Sequence, residues 1–449
     1  KIKFQERLFE PIASAPIAIF RVGFGLLLFL EGVGAVATGW VRDAFIAPTF
    51  TFSFIPFFPW LQPLPGEGMV YYYFVMGSLG LLVMLGFYYR PAILGYFVLW
   101  TIAYWMQKTN YNNHYYLLVL LTGIAVFLPA NRYFSLDVAR GAVKRYDLVP
   151  QWTSWIFIGL LLIVYTYAAL AKIQPDWLQA KPIKIWFASK GDTFLVGPLL
   201  VRDWFPYVVA YGGILFDALI IPAIWWSKTR KFALVVALFF HLFNSLVFQI
   251  GIFPYLMLFM SVFFFDPKQV RRFFFPKDNQ YLSPDLEEYY AKQTRYKPWI
   301  VPILAVFFTF MILLPIRHHV YSGDVNWTEE GHRMSWRMML RSKSGKASFK
   351  AVLPDGKEIT ILPQIDLTSK QLAAMSTRPD MVWQYAQYLK KQYQNEGHEH
   401  VAIYADVWAS LNGRPFQQLI DPEVDLAGET WKYFKSHRWI LPFQDNPIP

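Results

Sequence analysis

Nine apolar stretches follow one another through the first two thirds of the chain, near 16–38, 69–88, 91–107, 114–130, 153–171, 207–226, 231–249, 252–266 and 298–316. A bilayer core takes about 20 helical residues, fewer where aromatic residues anchor the ends. Runs 91–107 and 252–266 fall short of that length, so the pattern predicts eight to nine membrane spans. The first run carries Arg21 and Glu31 and has no small-residue cleavage site, which predicts a span rather than a signal peptide. Past residue 316 the period changes. Ala347–Leu353 and Glu358–Leu362 alternate around a turn at Pro354-Asp355-Gly356-Lys357, which predicts a hairpin. Helical spacing from Ser369 to Tyr393, behind a Thr368/Ser369 cap, predicts one helix, and His400–Trp408 and Phe416–Ile420 predict further strands. The expected architecture is mainly α: a polytopic transmembrane helix bundle over 1–316, then a smaller α+β domain over 317–449.

Composition narrows the class. The 449 residues include no cysteine, are 55% hydrophobic and 19% aromatic, and carry only 16% charge. Such a chain cannot hide its apolar surface in one aqueous core, so the lipid bilayer is its expected partner. Disordered, collagenous and disulfide-stapled classes are excluded, as are thiol catalysis and Cys-ligated metals. Net charge is +11. Up to Pro315 it is +10, and beyond it +1. With the N-terminus cytoplasmic, 18 Lys and Arg fall in inner loops and 7 in outer ones. The positive-inside bias therefore predicts an extracytoplasmic C-terminal domain and assigns the excess to topology, not to nucleic acid.

Chemistry-bearing residues concentrate in two outer loops. Lys172 ends the fifth apolar run, just before Gln174-Pro175-Asp176-Trp177. Desolvation there would lower the ammonium pKa and make a base. The alternative is a lysine reaching to the interface with Trp177 as a belt anchor. The other loop, Lys108 to Tyr116, holds Asn110, Asn112, Asn113 and His114. These either cap the next helix or hold a polar ligand at the membrane boundary. Within the spans, Arg21, Glu31, Asp217, His241 and Asn244 require partners or a wet cavity. Interhelical pairing and a direct catalytic role both remain open for them. His241 and Asn244 share a helix face as a polar seam or a pocket wall. No metal is expected, because His318-His319 and His398/His400 lack a matching ligand set. Gly212-Gly213 follows no strand, so it is no phosphate loop.

At these same residues the chain resembles the vitamin K-dependent gamma-carboxylase family and the wider horizontally transferred transmembrane domain family around it. The matching stretches are Asn112-Asn113-His114, Lys172 with Asp176-Trp177, Phe240-His241 with Asn244-Ser245, and Ile250-Gly251 with Phe253. Further along they are Ser335-Trp336 with Met338-Met339, Asp380-Met381 with Gln384-Tyr385, and Ile403-Tyr404 with Asp406-Val407-Trp408. The last are Asn412, Arg414, Gln417-Gln418 and Asp421-Pro422. The resemblance implies an enzyme that oxygenates reduced vitamin K (phylloquinol or menaquinol) with O₂ to the epoxide. It implies that this oxidation is coupled to γ-carboxylation of a glutamate-containing peptide with CO₂. It assigns Lys172 as the weak base toward the quinol, Asn113 as a hydrogen-bond partner of a quinol oxygen, and His114 to proton or carboxyl handling. His241 and Asn244 join Asn113 and Lys172 around the cofactor. Ala171-Lys172 stands where vertebrate members have two lysines, and the vertebrate cysteines are missing. That departure implies a prokaryotic homologue with a periplasmic domain, and makes epoxidation a safer expectation than protein carboxylation. A eukaryotic chain would place that domain in the ER lumen, the setting in which the sequon Asn326-Trp327-Thr328 would matter. The alternatives are epoxidation alone, or a quinone- or lipid-binding membrane scaffold without catalysis. A transporter is the weaker third reading, since no inverted repeat is evident.

Overall fold

The computed structural model describes residues 4–55, 58, 60–278 and 286–445. Every apolar run is helical: α1 (Ala15–Ala37), α2 (Gly68–Leu85), α3 (Tyr89–Met106), α4 (Asn113–Phe127), α5 (Trp152–Lys172), α6 (Phe205–Trp225), α7 (Arg230–Phe248), α8 (Phe253–Met260) and α9 (Leu286–Ile316). Six of them, α1, α2, α5, α6, α7 and α9, are long and apolar enough to cross a membrane. The remaining three qualify the expectation of eight to nine spans. α3 has the length, but Arg90 and its tyrosines dilute its hydropathy. α4 is confined between the Asn112 cap, whose side chain accepts from Tyr115 N at 2.7 Å, and Leu128-Pro129. α8 runs only to Phe264, even with its 3-10 continuation.

Helices α1 and α2 pack backbone to backbone. A Cβ on Gly25 would lie 2.3 Å from Met84 N, and one on Gly80 would lie 2.5 Å from Phe29 N, so only glycine permits this crossing. Arg21 is almost fully buried, and its partners are carbonyls instead of a carboxylate. It donates to Val83 O, Met84 O and Phe134 O, closing the exposed end of α2 where cations are favoured. At that end of the bundle β1 (Pro11–Ala13) pairs antiparallel with β2 (Leu148–Pro150). Both strands are too short to show alternation, and the sequence reading missed them.

The C-terminal region forms a four-stranded antiparallel sheet in the order β4-β3-β5-β6, from β3 (Lys343–Val352), β4 (Glu358–Ile361), β5 (Ala402–Leu411) and β6 (Gln417–Gln418). The expected hairpin is β3–β4. The single helix expected over 369–393 is two, α10 (Ser369–Met375) and α11 (Pro379–Asn395). Thr368 and Gln371 form a capping box on α10, while Pro379, lacking an N–H, starts a new helix better than it continues one. Phe349, Ile403, Ala405 and Val407 pack the sheet's inner face against Met381, Tyr385 and Leu389 of α11. The two cores exchange residues across the expected boundary at 316/317. Phe52, from the α1–α2 loop, is buried in the sheet domain, and Trp336 is buried in the bundle, 5.0 Å from the Tyr116 ring.

Candidate active site

Lys172 is the last residue of α5 and is 8% exposed. Its Nζ lies 2.5 Å from Asp217 Oδ2 on α6 and 3.3 Å from Ala168 O. The Trp177 ring covers it at 5.5 Å, and Trp177 is itself buried, with Nε1 donating to Ala210 O at 2.9 Å. Thus Lys172 does not reach out to the interface, and Trp177 is no belt anchor. Asp217, which has no evident partner in the sequence, is the acceptor for Lys172.

One residue before Asp217, Phe216 turns toward α7, where its ring stacks on Phe240 at 3.7 Å and meets His241 edge-on at 5.9 Å. His241 Nε2 lies 3.3 Å from the Tyr165 hydroxyl, two turns before Lys172 on α5. Its Nδ1 is buried with no hydrogen-bond partner among the described residues. Such an orphan costs about 1–3 kcal/mol unless a ligand satisfies it. Phe253, which opens α8, stacks on His114 at 4.0 Å and meets His241 at 6.3 Å. The two histidines therefore flank one ring. Asn112 supplies the cap of α4, which leaves its neighbour Asn113 for other bonds. Asn113 Oδ1 accepts from the Tyr111 hydroxyl at 3.0 Å and its Nδ2 donates to Arg337 O at 3.4 Å. Half-buried His114 and Asn244 form no side-chain hydrogen bond among the described residues, and Asn244 lies one turn beyond His241.

Five expected residues thus fall into two groups. Lys172 and His241 lie in the α5–α6–α7 seam, with half-buried Asn244 one turn beyond His241 on α7, while Asn113 and His114 begin α4. Among the described residues no hydrogen bond links the groups directly; Phe253 connects them, stacked on His114 and edge-on to His241, while Tyr165 ties His241 to the Lys172 helix. Tyr165, Phe216 and Phe253 escaped sequence reasoning because a tyrosine or phenylalanine in an apolar run carries no signal of its own.

The sheet domain closes over this end of the bundle. Asp176 accepts from Arg414 at 2.6 and 2.7 Å, from Asn412 at 2.7 Å and from Lys181 at 3.0 Å. Burial would raise its pKa, but the Arg414, Asn412 and Lys181 bonds hold the carboxyl well below the usual range. Lys108 and Arg333 meet Asp380 at 2.6 and 2.7 Å. Asn326, the sequon residue, is buried and bonds Gln174 at 2.6 Å and Arg337 at 3.0 Å, so the folded chain offers no glycan acceptor there. Beside it Arg333, Arg337, Arg341, Lys343 and Arg378 gather around the carboxylates of Glu329 and Asp380, with Asp324 also acting on Arg337. Among the described residues Arg378 meets no carboxylate directly; burial, followed by the charges of Arg333 and Arg341, pushes its pKa down to about 10.

Comparison with known families fits this geometry. Residues 9–268 match the HTTM domain family, and residues 296–446 match the vitamin K-dependent gamma-carboxylase lumenal domain. No solved structure matches the chain. The lumenal-domain match covers the sheet domain, and the HTTM match holds Asn113, His114, Lys172, His241 and Asn244. Two consecutive matches spanning nearly the whole chain make this membrane protein a member of the vitamin K-dependent gamma-carboxylase family.

Proposed function

We propose that the chain is a quinol-dependent epoxidase and gamma-carboxylase whose reacting centre lies between Lys172 and His114. The observation that carries this reading is the buried Lys172–Asp217 pair opening toward an aromatic seam with an orphan imidazole nitrogen. A naphthohydroquinone is an aromatic disc with two oxygens. The rings of Phe253, His114 and His241 offer faces for it, and His241 Nδ1, Asn113 and Asn244 offer polar partners.

Reduced vitamin K (phylloquinol or menaquinol) supplies, with O₂, a base strong enough to remove a glutamate γ-proton, and CO₂ then takes up the carbanion. The chain's own contribution is proton handling and exclusion of water. Lys172 Nζ receives the quinol proton, and Asp217 Oδ2, at 2.5 Å, accepts the proton the ammonium must first release. His114, with no side-chain bond to another described residue, is free to relay a proton at its ring nitrogens. Trp177 and the sheet domain shut the site from bulk water. The cationic excess around Arg378 and Arg337 supports recognition of a carboxylate-bearing substrate, in keeping with a glutamate-containing peptide delivered from the extracytoplasmic side.

The test is quinol-dependent epoxide formation by the purified protein with reduced naphthoquinones. Absence of epoxide across several of them would sink the reading and leave a quinone-binding scaffold. Incorporation of labelled CO₂ into a glutamyl peptide then separates carboxylase from epoxidase alone.

A further inference from the structure

At the opposite end of the bundle from Lys172, a groove of about 1160 Å³ opens between α3, α4, the start of α5 and α9. Its walls are apolar, with Leu94, Leu120, Ile124, Ile156, Ile300 and Phe307 among them. Its mouth is basic: Arg90, Arg132, Lys144 and Arg145 line it together with Tyr146. Arg145 is neutralised by Asp147 at 2.9 Å and Asp278 at 2.5 Å, so Asp147, the one carboxylate lining the mouth among the described residues, is engaged. Arg90 and Arg132 have no such partner among the described residues. Arg90 donates to Val126 O. Arg132 donates to Lys144 O at 3.4 Å and sits over the Tyr146 ring at 4.9 Å. Both guanidinium groups line the mouth of this one groove.

Two cationic groups without a carboxylate partner among the described residues thus stand at the mouth of an apolar slot, the charge pattern that an anionic headgroup complements. We propose that the groove is a binding site for one anionic glycerophospholipid, its phosphate held by Arg90 and Arg132 and its acyl chains laid between α4, α5 and α9. Charge complementarity selects this occupant over a neutral lipid or a quinone tail, neither of which has anything to offer the arginines. The groove's length of apolar wall selects it over a free phosphate. Because the mouth lies at the far end of α5, some 30 Å from Lys172 by helix rise, the site is independent of the proposed chemistry.

The test is equilibrium binding to the full chain in detergent, followed by thermal stabilisation and native mass spectrometry, with phosphatidylglycerol, phosphatidylcholine, menaquinone and glycerol 3-phosphate as probes. Phosphatidylglycerol is expected to bind tightest, and Arg90→Gln with Arg132→Gln to reduce its affinity about fivefold per arginine, removing the preference over phosphatidylcholine. Leu94→Trp narrows the slot, leaves both arginines and is expected to weaken the lipid; it decides the matter if the arginine variant unfolds. Equal binding of phosphatidylcholine or menaquinone by the wild type overturns the proposal. So does glycerol 3-phosphate matching the lipid, or an unweakened Leu94→Trp variant.

Discussion

Lys172 and Asp176 are four residues apart, and each meets a partner of opposite charge, buried Asp217 for the first and half-buried Arg414 for the second, but their surroundings differ. Asp176 has four donors on its two oxygens, from Arg414, Asn412 and Lys181. Lys172 uses two of its three N–H donors, and Asp217 bonds only Lys172 among the described residues. A saturated carboxylate has nothing left to give a substrate, so Asp176 acts as the rivet between bundle and sheet domain. An ion pair with open valences beside an orphan imidazole nitrogen keeps capacity for a proton and a ligand. The proposed chemistry therefore rests on the pair that is less well satisfied.

The sharpest way to break that contrast is Lys172→Ala. Loss of a general base lowers rates by about 10²–10⁴, and the stranded Asp217 charge costs about 3–5 kcal/mol of stability. Lys172→Met with Asp217→Leu separates the two effects. An apolar pair of similar volume should restore the thermal midpoint while epoxide formation stays absent. If the double variant turned over quinol at a tenth of the wild-type rate, the pair would be structural only. His114→Phe preserves the stack on Phe253 but removes the ring nitrogens, and should slow turnover about a hundredfold without shifting the thermal midpoint.

Next in size is the rivet. Asp176→Asn removes the charge that Arg414 and Lys181 converge on, and should cost about 3 kcal/mol, read as a lower unfolding midpoint. The folded pKa of Asp176 is depressed, so its contribution is complete above the unfolded value near 4 and is lost as pH falls toward the folded one. The wild type should therefore lose stability below about pH 4 more steeply than Asp176→Asn. Parallel acid limbs for the two proteins would remove Asp176 from this role.

Much of this was legible from the chain and some was not, for identifiable reasons. Helix positions follow from hydrophobic runs, and the β3–β4 hairpin from alternation around Pro354-Asp355-Gly356-Lys357. The β1–β2 pair was invisible because three residues cannot display a period. The break before Pro379 was lost under continuous helical spacing on either side. At the candidate site, polar residues in apolar runs are conspicuous, so Lys172, His241 and Asp217 stood out. Their pairing did not, because Lys172 and Asp217 are 45 residues apart and only helix packing decides who meets whom. Tyr165 and Phe253 had no polar contrast to betray them. The exchange of Phe52 and Trp336 between cores is likewise a tertiary fact that no local pattern records.

The smallest expected effects fall on the polar residues of the seam, and their order tests whether a ligand lies there. Tyr165→Phe removes the partner of His241 Nε2, so an imidazole already lacking a bond at Nδ1 loses its other one, for about 1–3 kcal/mol of stability. Asn244→Ala removes a side chain with no bond to any described residue, so stability should stay within about 0.5 kcal/mol. If Asn244 meets the quinol, its loss raises KM for the quinol about fivefold, one hydrogen bond's worth, with kcat nearly unchanged. Steady-state kinetics against quinol concentration, alongside thermal unfolding, reads both quantities. An unchanged KM would confine the ligand to the His114–Phe253–His241 stack. A lower kcat at constant KM would instead bring Asn244 into contact with the reacting oxygen.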